Sequence, residues 1–141
     1  MPTIYTIGFS GKTKDQFMEM LDAVDVRTLV DIRLWRVARF VPWASGVNLA
    51  AALGDRYKYM PELAPTKELL TQYKDGIIGW DRYQQIYNQI LTERQVETLF
   101  KADNLDKTCF LCTEKSADKC HRKLAAEFVL QHFPDVKIVH L

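Results

Sequence analysis

Residues 108–139 read TCFLCTEKSADKCHRKLAAEFVLQHFPDVKIV. Thr108 to Cys112 is a short apolar run of β-forming residues, as a buried strand requires. Ser116 or Asp118 can cap a helix that runs to His132 and turns Leu124, Phe128 and Val129 to one side. Pro134 ends it, and Val136 to Val139 is strand-like again. A strand, a helix and a second strand in about thirty residues form a βαβ unit, whose two strands run parallel.

The same alternation extends toward the N-terminus. Thr3 to Ile7 is a β-rich run closed by Gly8, and Thr13 can cap a helix carrying Phe17, Met20, Leu21 and Val24 at helical spacing. Thr28 to Ile32 is a second strand. Asn48 to Leu53 is a short helix candidate, and Tyr57 to Met60 is a third strand stopped by Pro61. From Thr66 to about Ala102 the pattern is helical, broken near Asp75-Gly76 and at Gly79, with Tyr83, Ile86, Tyr87 and Ile90 on one face. The expectation is an α/β fold: one layered domain over residues 1–141, with a mostly parallel central sheet of about five strands flanked by helices.

The 141-residue chain is long enough to bury one ordinary core. Hydrophobic residues make up 48% and charged residues 26%. Nineteen basic against eighteen acidic side chains leave a formal net charge of +1, so no global field draws in nucleic acid or an anionic membrane. The N-terminal apolar run is too short for a signal peptide or a membrane span. Three clustered cysteines suit reduced thiols in a cytoplasmic protein better than a disulfide framework. Neither a cofactor nor an oligomeric state is specified.

Parallel sheets place ligand sites beyond the carboxyl ends of their strands. That rim collects Asp31 and Arg33 after strand two, Glu62 after strand three, and Cys112 and Glu114 after strand four. Cys109 and Cys112 form a C-x-x-C, but residues three apart on a strand point to opposite faces. Cys109 therefore reads as a core residue, and Cys112 as a rim residue. Cys120 falls in the first turn of the following helix, where unpaired N–H groups favour a thiolate. Beside it His121 suits proton transfer, Arg122 suits an anion, and Glu114 is a second proton carrier.

A metal site holding zinc or iron is an alternative, with Cys112, Cys120 and His121 as ligands and Glu114 as a fourth. The spacing matches none of the standard structural zinc patterns, and adjacent Cys-His residues within a helix diverge, so no metal ligand is assigned. A second alternative is nucleic-acid binding by the loop 33–43. Its Arg33, Trp35, Arg36, Arg39, Phe40 and Trp43 interleave cations with aromatic rings.

Four stretches resemble one family nearly end to end: YTIGFSGKTKDQF, LVDIR, YKYMPELA and CFLCTEKSADKCHRKLAAEFV. The chain resembles the DUF488 family of small bacterial and archaeal proteins of unassigned function. Its C-x-E-x5-C-H-R pattern corresponds to Cys112, Glu114, Cys120, His121 and Arg122. Members often carry His or Tyr where this chain has Phe9. The resemblance implies a shared site. It comprises Asp31, Arg33, Arg39, Glu62, Cys112, Glu114, Cys120, His121 and Arg122, and the chemistry of these side chains gives the expected roles: Cys112, Cys120, His121 and Glu114 catalytic, Arg33, Arg39 and Arg122 holding an anion, and Asp31 and Glu62 supporting them. The expected partner is a small anionic ligand or nucleotide.

Overall fold

A computed structural model describes all of residues 1–141. It holds a five-stranded sheet in which every neighbouring pair is parallel. The strands are β1 (Thr3–Gly8), β2 (Thr28–Asp31), β3 (Tyr57–Tyr59), β4 (Thr108–Cys112) and β5 (Lys137–His140), in the order β3-β2-β4-β1-β5. The helices are α1 (Lys14–Ala23), α2 (Gly46–Leu53), α3 (Lys67–Lys74), α4 (Trp80–Glu93) and α5 (His121–His132). Short 3-10 turns link several of them.

Period-two alternation along the strands divides the core between the two faces of the sheet. On β4, Cys109 and Leu111 join Ile7, Leu29, Phe17 of α1 and Leu49 of α2 on one side. Phe110 joins Ile4, Val30, Leu69 of α3, Tyr83, Tyr87 and Leu91 of α4, and Leu124, Ala125, Ala126 and Phe128 of α5 on the other. Each fully buried Leu, Ile or Phe contributes roughly 1.5–3 kcal/mol, so both layers are needed. The chain is thus a three-layer α/β/α structure.

The βαβ reading of residues 108–139 holds, with two shifts. The last strand starts at Lys137, one residue late. Helix α5 begins at His121, so neither Ser116 nor Asp118 is its cap. Cys120 is its N-cap rather than a residue of its first turn. The long helical pattern after Thr66 splits at Asp75 and Gly79 into α3 and α4, and ends at Glu93 with a 3-10 turn beyond. Gly76 takes φ +73°, a left-handed backbone that glycine adopts without strain, which explains the break. Thr13 caps α1 through a capping box with Gln16.

Candidate functional site

β4 lies between β2 and β1, and its last residue, Cys112, is paired in register with Gly8. From Cys112 an exposed loop climbs off the rim and returns at Cys120. Two features bring it back. Arg122, 1% exposed, donates from Nη1 to the Glu114 carbonyl at 2.8 Å and from Nη2 to the Lys115 carbonyl at 3.3 Å. Gly8 leaves the space: a Cβ there would lie 1.5 Å from the Glu114 oxygen and 2.4 Å from Arg122 Nη1.

The folded-back loop sets Cys120 against Cys112. The Cys120 thiol donates to the Cys112 sulfur at 2.7 Å, and the sulfur also lies 3.5 Å from His121 Nδ1. As N-cap, Cys120 keeps an extended backbone (φ −124°, ψ 140°) while His121 is helical. That change of backbone turns two adjacent side chains to one point, where two residues inside a helix would diverge. The expected divergence of Cys120 and His121 is therefore corrected: the two sulfurs and an imidazole nitrogen lie within 4.8 Å of one another.

His121 Nε2 is 2.9 Å from the Ile32 carbonyl at the end of β2. A carbonyl only accepts, so Nε2 carries the proton and Nδ1 faces the sulfur. The ring is held edge-on to Tyr87, at 5.8 Å and 77°. Tyr87 is itself tied by its hydroxyl to the Leu63 carbonyl.

This packing separates the three thiols. The hydrogen bond from Cys120, His121 and the Glu114 backbone N–H together hold Cys112 well below the usual thiol range, although burial opposes its charge. Cys120, as the donor of that bond, is pushed up, and burial adds to the shift. Cys109 is pushed up by burial. Burial works against a charged His121, but the Cys112 thiolate and the Ile32 carbonyl outweigh it and raise its pKa. Of the two sulfurs, Cys112, which accepts the hydrogen bond and faces the imidazole, is the one whose thiolate these surroundings favour.

The cluster forms the floor of a cleft of about 210 Å³. Its walls include Arg33, Trp35, Tyr73, Lys74, Tyr83, Glu114 and Lys119. Asp31, wholly buried, takes two bonds from the Arg33 guanidinium, at 2.8 and 2.7 Å, a third from the Arg33 backbone N–H at 3.2 Å, and one from Tyr57 at 2.5 Å. Arg33 thereby reaches the cleft as half of an ion pair. That leaves Lys119 and Lys74, the latter over the Trp35 ring at 5.8 Å, as its other cations. Burial and Asp31 together push the Tyr57 hydroxyl up to about 12.

Of the nine residues expected at the site, Cys112, Cys120, His121, Glu114 and Arg33 line this cleft, and Asp31 braces it from beneath Arg33. Arg122 stands behind the loop, with Nη1 and Nη2 on carbonyls and Nε buried without a partner. Arg39 and Glu62 are exposed and outside the cleft lining. The loop 33–43 is divided. Arg36 lies 3.9 Å from the Tyr59 ring centroid and Trp43 packs on Phe9 and Phe17, whereas Arg39 and Phe40 face outward and Trp35 is half exposed on the cleft wall. Tyr83 and Lys74 are cleft residues that the helical pattern hid. Tyr83 scans as one more apolar position of α4, and its hydroxyl was the only signal.

Two thiolates on one tetrahedral zinc stand about 3.8 Å apart, given Zn–S bonds of about 2.3 Å. The sulfurs here are about 1 Å closer, so Cys112, Cys120 and His121, grouped as three ligands of one ion would be, would have to open by that much to hold a metal.

The fold and this cluster define an α/β protein with a Cys-Cys-His group at the carboxyl rim of a parallel sheet. The chain belongs to the family described as domain of unknown function DUF488, which it matches over residues 13–129. No curated protein and no solved structure matches it. No helix is long and apolar enough to cross a membrane.

Proposed function

We propose that the chain is a thiol-dependent enzyme acting on a small anionic molecule bound in the Cys112 cleft. The observation that carries this reading is the Cys112 sulfur, at the cleft floor, between a thiol donor at 2.7 Å and an imidazole nitrogen at 3.5 Å. That environment stabilises a thiolate, the nucleophilic form of cysteine. Cys112 attacks an electrophilic centre, the S–X bond forms as the leaving group departs, and His121 Nδ1 supplies the proton that the leaving group takes. Lys119, Lys74 and the Asp31-braced Arg33 hold the substrate's negative charge, and Tyr83, Tyr73 and Trp35 bury its apolar part. Glu114, exposed at the mouth, is a second proton carrier.

Paired alkylating agents test both halves of this reading. Iodoacetate is anionic and iodoacetamide neutral. The ratio of their rates at Cys112 is expected to exceed that of free cysteine. It should fall at high salt and in Lys119→Ala. A ratio equal to that of free cysteine, in both proteins and at all salt concentrations, would contradict the anionic-substrate reading. Binding of nucleic acid by the loop 33–43 rests on two outward residues, Arg39 and Phe40, beside the half-exposed Trp35 of the cleft wall. Salt-dependent oligonucleotide binding that Arg39→Ala abolishes, with the alkylation ratio unchanged, would favour it instead.

A further inference from the structure

The proposed reaction needs one nucleophile, yet the cleft floor holds two thiols. We propose that Cys112 and Cys120 are a two-electron redox couple that closes to a disulfide, and that the cleft's substrate is an anionic low-molecular-mass disulfide. This inference rests on the reading of Cys112 as the nucleophile.

The geometry is specific to the pair. The sulfurs are 2.7 Å apart, about 0.7 Å beyond a disulfide bond. Cys120 belongs to no helical turn: it is the N-cap, at the end of an exposed loop, so its side chain can close on Cys112 without disturbing α5. Cys109, the other member of the C-x-x-C, is on the opposite face of the sheet. The asymmetry of the pair also assigns the order of events. Cys112 is the acceptor in the S–H···S bond and attacks first; Cys120 keeps its proton until a mixed disulfide exists.

The steps balance without a further reagent. The Cys112 thiolate attacks one sulfur of RS–SR, forming a mixed disulfide and releasing RS⁻, which takes the Nδ1 proton of His121. Cys120 then gives its proton to the vacated Nδ1, and its thiolate attacks Cys112. The mixed S–S bond breaks, the second RS⁻ leaves and takes a proton from His121 or water, and a Cys112–Cys120 disulfide remains. The dithiol loses two electrons and RS–SR gains them. Lys119 and Lys74 meet the charges of the R groups, and their field also favours departure of RS⁻.

Glutathione disulfide, which carries carboxylates on both halves, is the probe. The reduced full-length protein is expected to release two glutathione thiols per chain and to yield a Cys112–Cys120 disulfide in a peptide map. Cys120→Ser should release one and retain a glutathionyl group on Cys112. Cys112→Ser should release glutathione at least tenfold more slowly. If Cys120→Ser fails to fold, Cys120→Ala and the wild-type map carry the same test. The proposal is overturned if the wild type stops at one thiol released, if the disulfide involves Cys109, or if reaction begins only once a chelator has removed a metal. Where wild type and Cys120→Ser both stop at the mixed disulfide on Cys112, the couple falls and the nucleophile stands. Where Cys112 reacts with neither the probe nor iodoacetamide, both readings fall.

Discussion

Cys109 and Cys112 lie three residues apart on one strand and share the same chemistry, but the structure gives them opposite surroundings. Cys109 is wholly buried among Ile7, Phe17 and Leu29, with no polar partner, and burial alone pushes its pKa up. Cys112, nearly as inaccessible by area, ends the strand where the Glu114 backbone N–H, a thiol and an imidazole converge, and its pKa goes down. Burial therefore does not decide whether a thiol is inert. What decides is whether the desolvated sulfur is given donors, and on a parallel strand those are supplied at the carboxyl end, by the loop and helix that follow.

The largest expected effect is at Cys112 itself. Cys112→Ser should remove alkylation at neutral pH altogether while the fold persists, as followed by mass spectrometry and far-UV dichroism. Labelling that continues at Cys120 at the original rate would break the contrast by moving the thiolate to the other sulfur.

Gly8→Ala should come next. Its Cβ would meet the Glu114 carbonyl and Arg122 Nη1, so the loop that carries Glu114 toward α5 must shift. A loss of about 3 kcal/mol is expected, at the upper end for overpacking, as a lowered midpoint in urea. A cost under about 0.5 kcal/mol would show that the loop is not fixed by this approach.

His121→Gln keeps a polar group near Ile32 but removes the cation beside Cys112. About tenfold slower alkylation near neutral pH is expected, equivalent to roughly one pKa unit, or 1.4 kcal/mol. The stability effect has a defined sign. His121 has a raised folded-state pKa, so its contribution is full below the unfolded value of about 6.5 and is lost as pH climbs through the folded one. Cys112 has a lowered pKa, so its contribution is full above about 8.5 and is lost as pH falls through the folded value. The pair is intact between those two folded-state values. His121→Gln should therefore abolish the loss of stability on the alkaline side of that window, measurable in urea titrations across pH.

Cys109→Ala should have the smallest effect: about 1 kcal/mol of stability for the space left in the core, with Cys112 alkylation unchanged. A changed rate at Cys112 would mean that the two cysteines are coupled through the strand after all.

Much of this was legible in residues 108–139. A five-residue apolar run, a proline and a second β run specify a βαβ unit, and strand alternation alone separates Cys109 from Cys112. The rim position of Asp31, Arg33 and Glu114 followed from parallel strands. What could not be read was where α5 begins. Ser116 and Asp118 are both good caps by composition, and nothing local reveals that Cys120 takes the cap position with an extended backbone. That later start, two residues beyond Asp118 and four beyond Ser116, makes Cys120 and His121 converge. Arg122 was similarly opaque: a charged side chain beside a thiol suggests an anion, whereas its burial behind the loop, bonded to two carbonyls, depends on the absence of a Cβ at Gly8, far away in sequence.

The most direct test is the rate of iodoacetamide labelling at each of the three cysteines as a function of pH, followed peptide by peptide. The account predicts that Cys112 labels at a nearly constant rate from about pH 9 down to about pH 7, below the ordinary thiol midpoint of about 8.5. Cys120 should label far more slowly, and Cys109 only on unfolding. A Cys112 midpoint at or above about 8.5, or equal protection of Cys112 and Cys109, would contradict it.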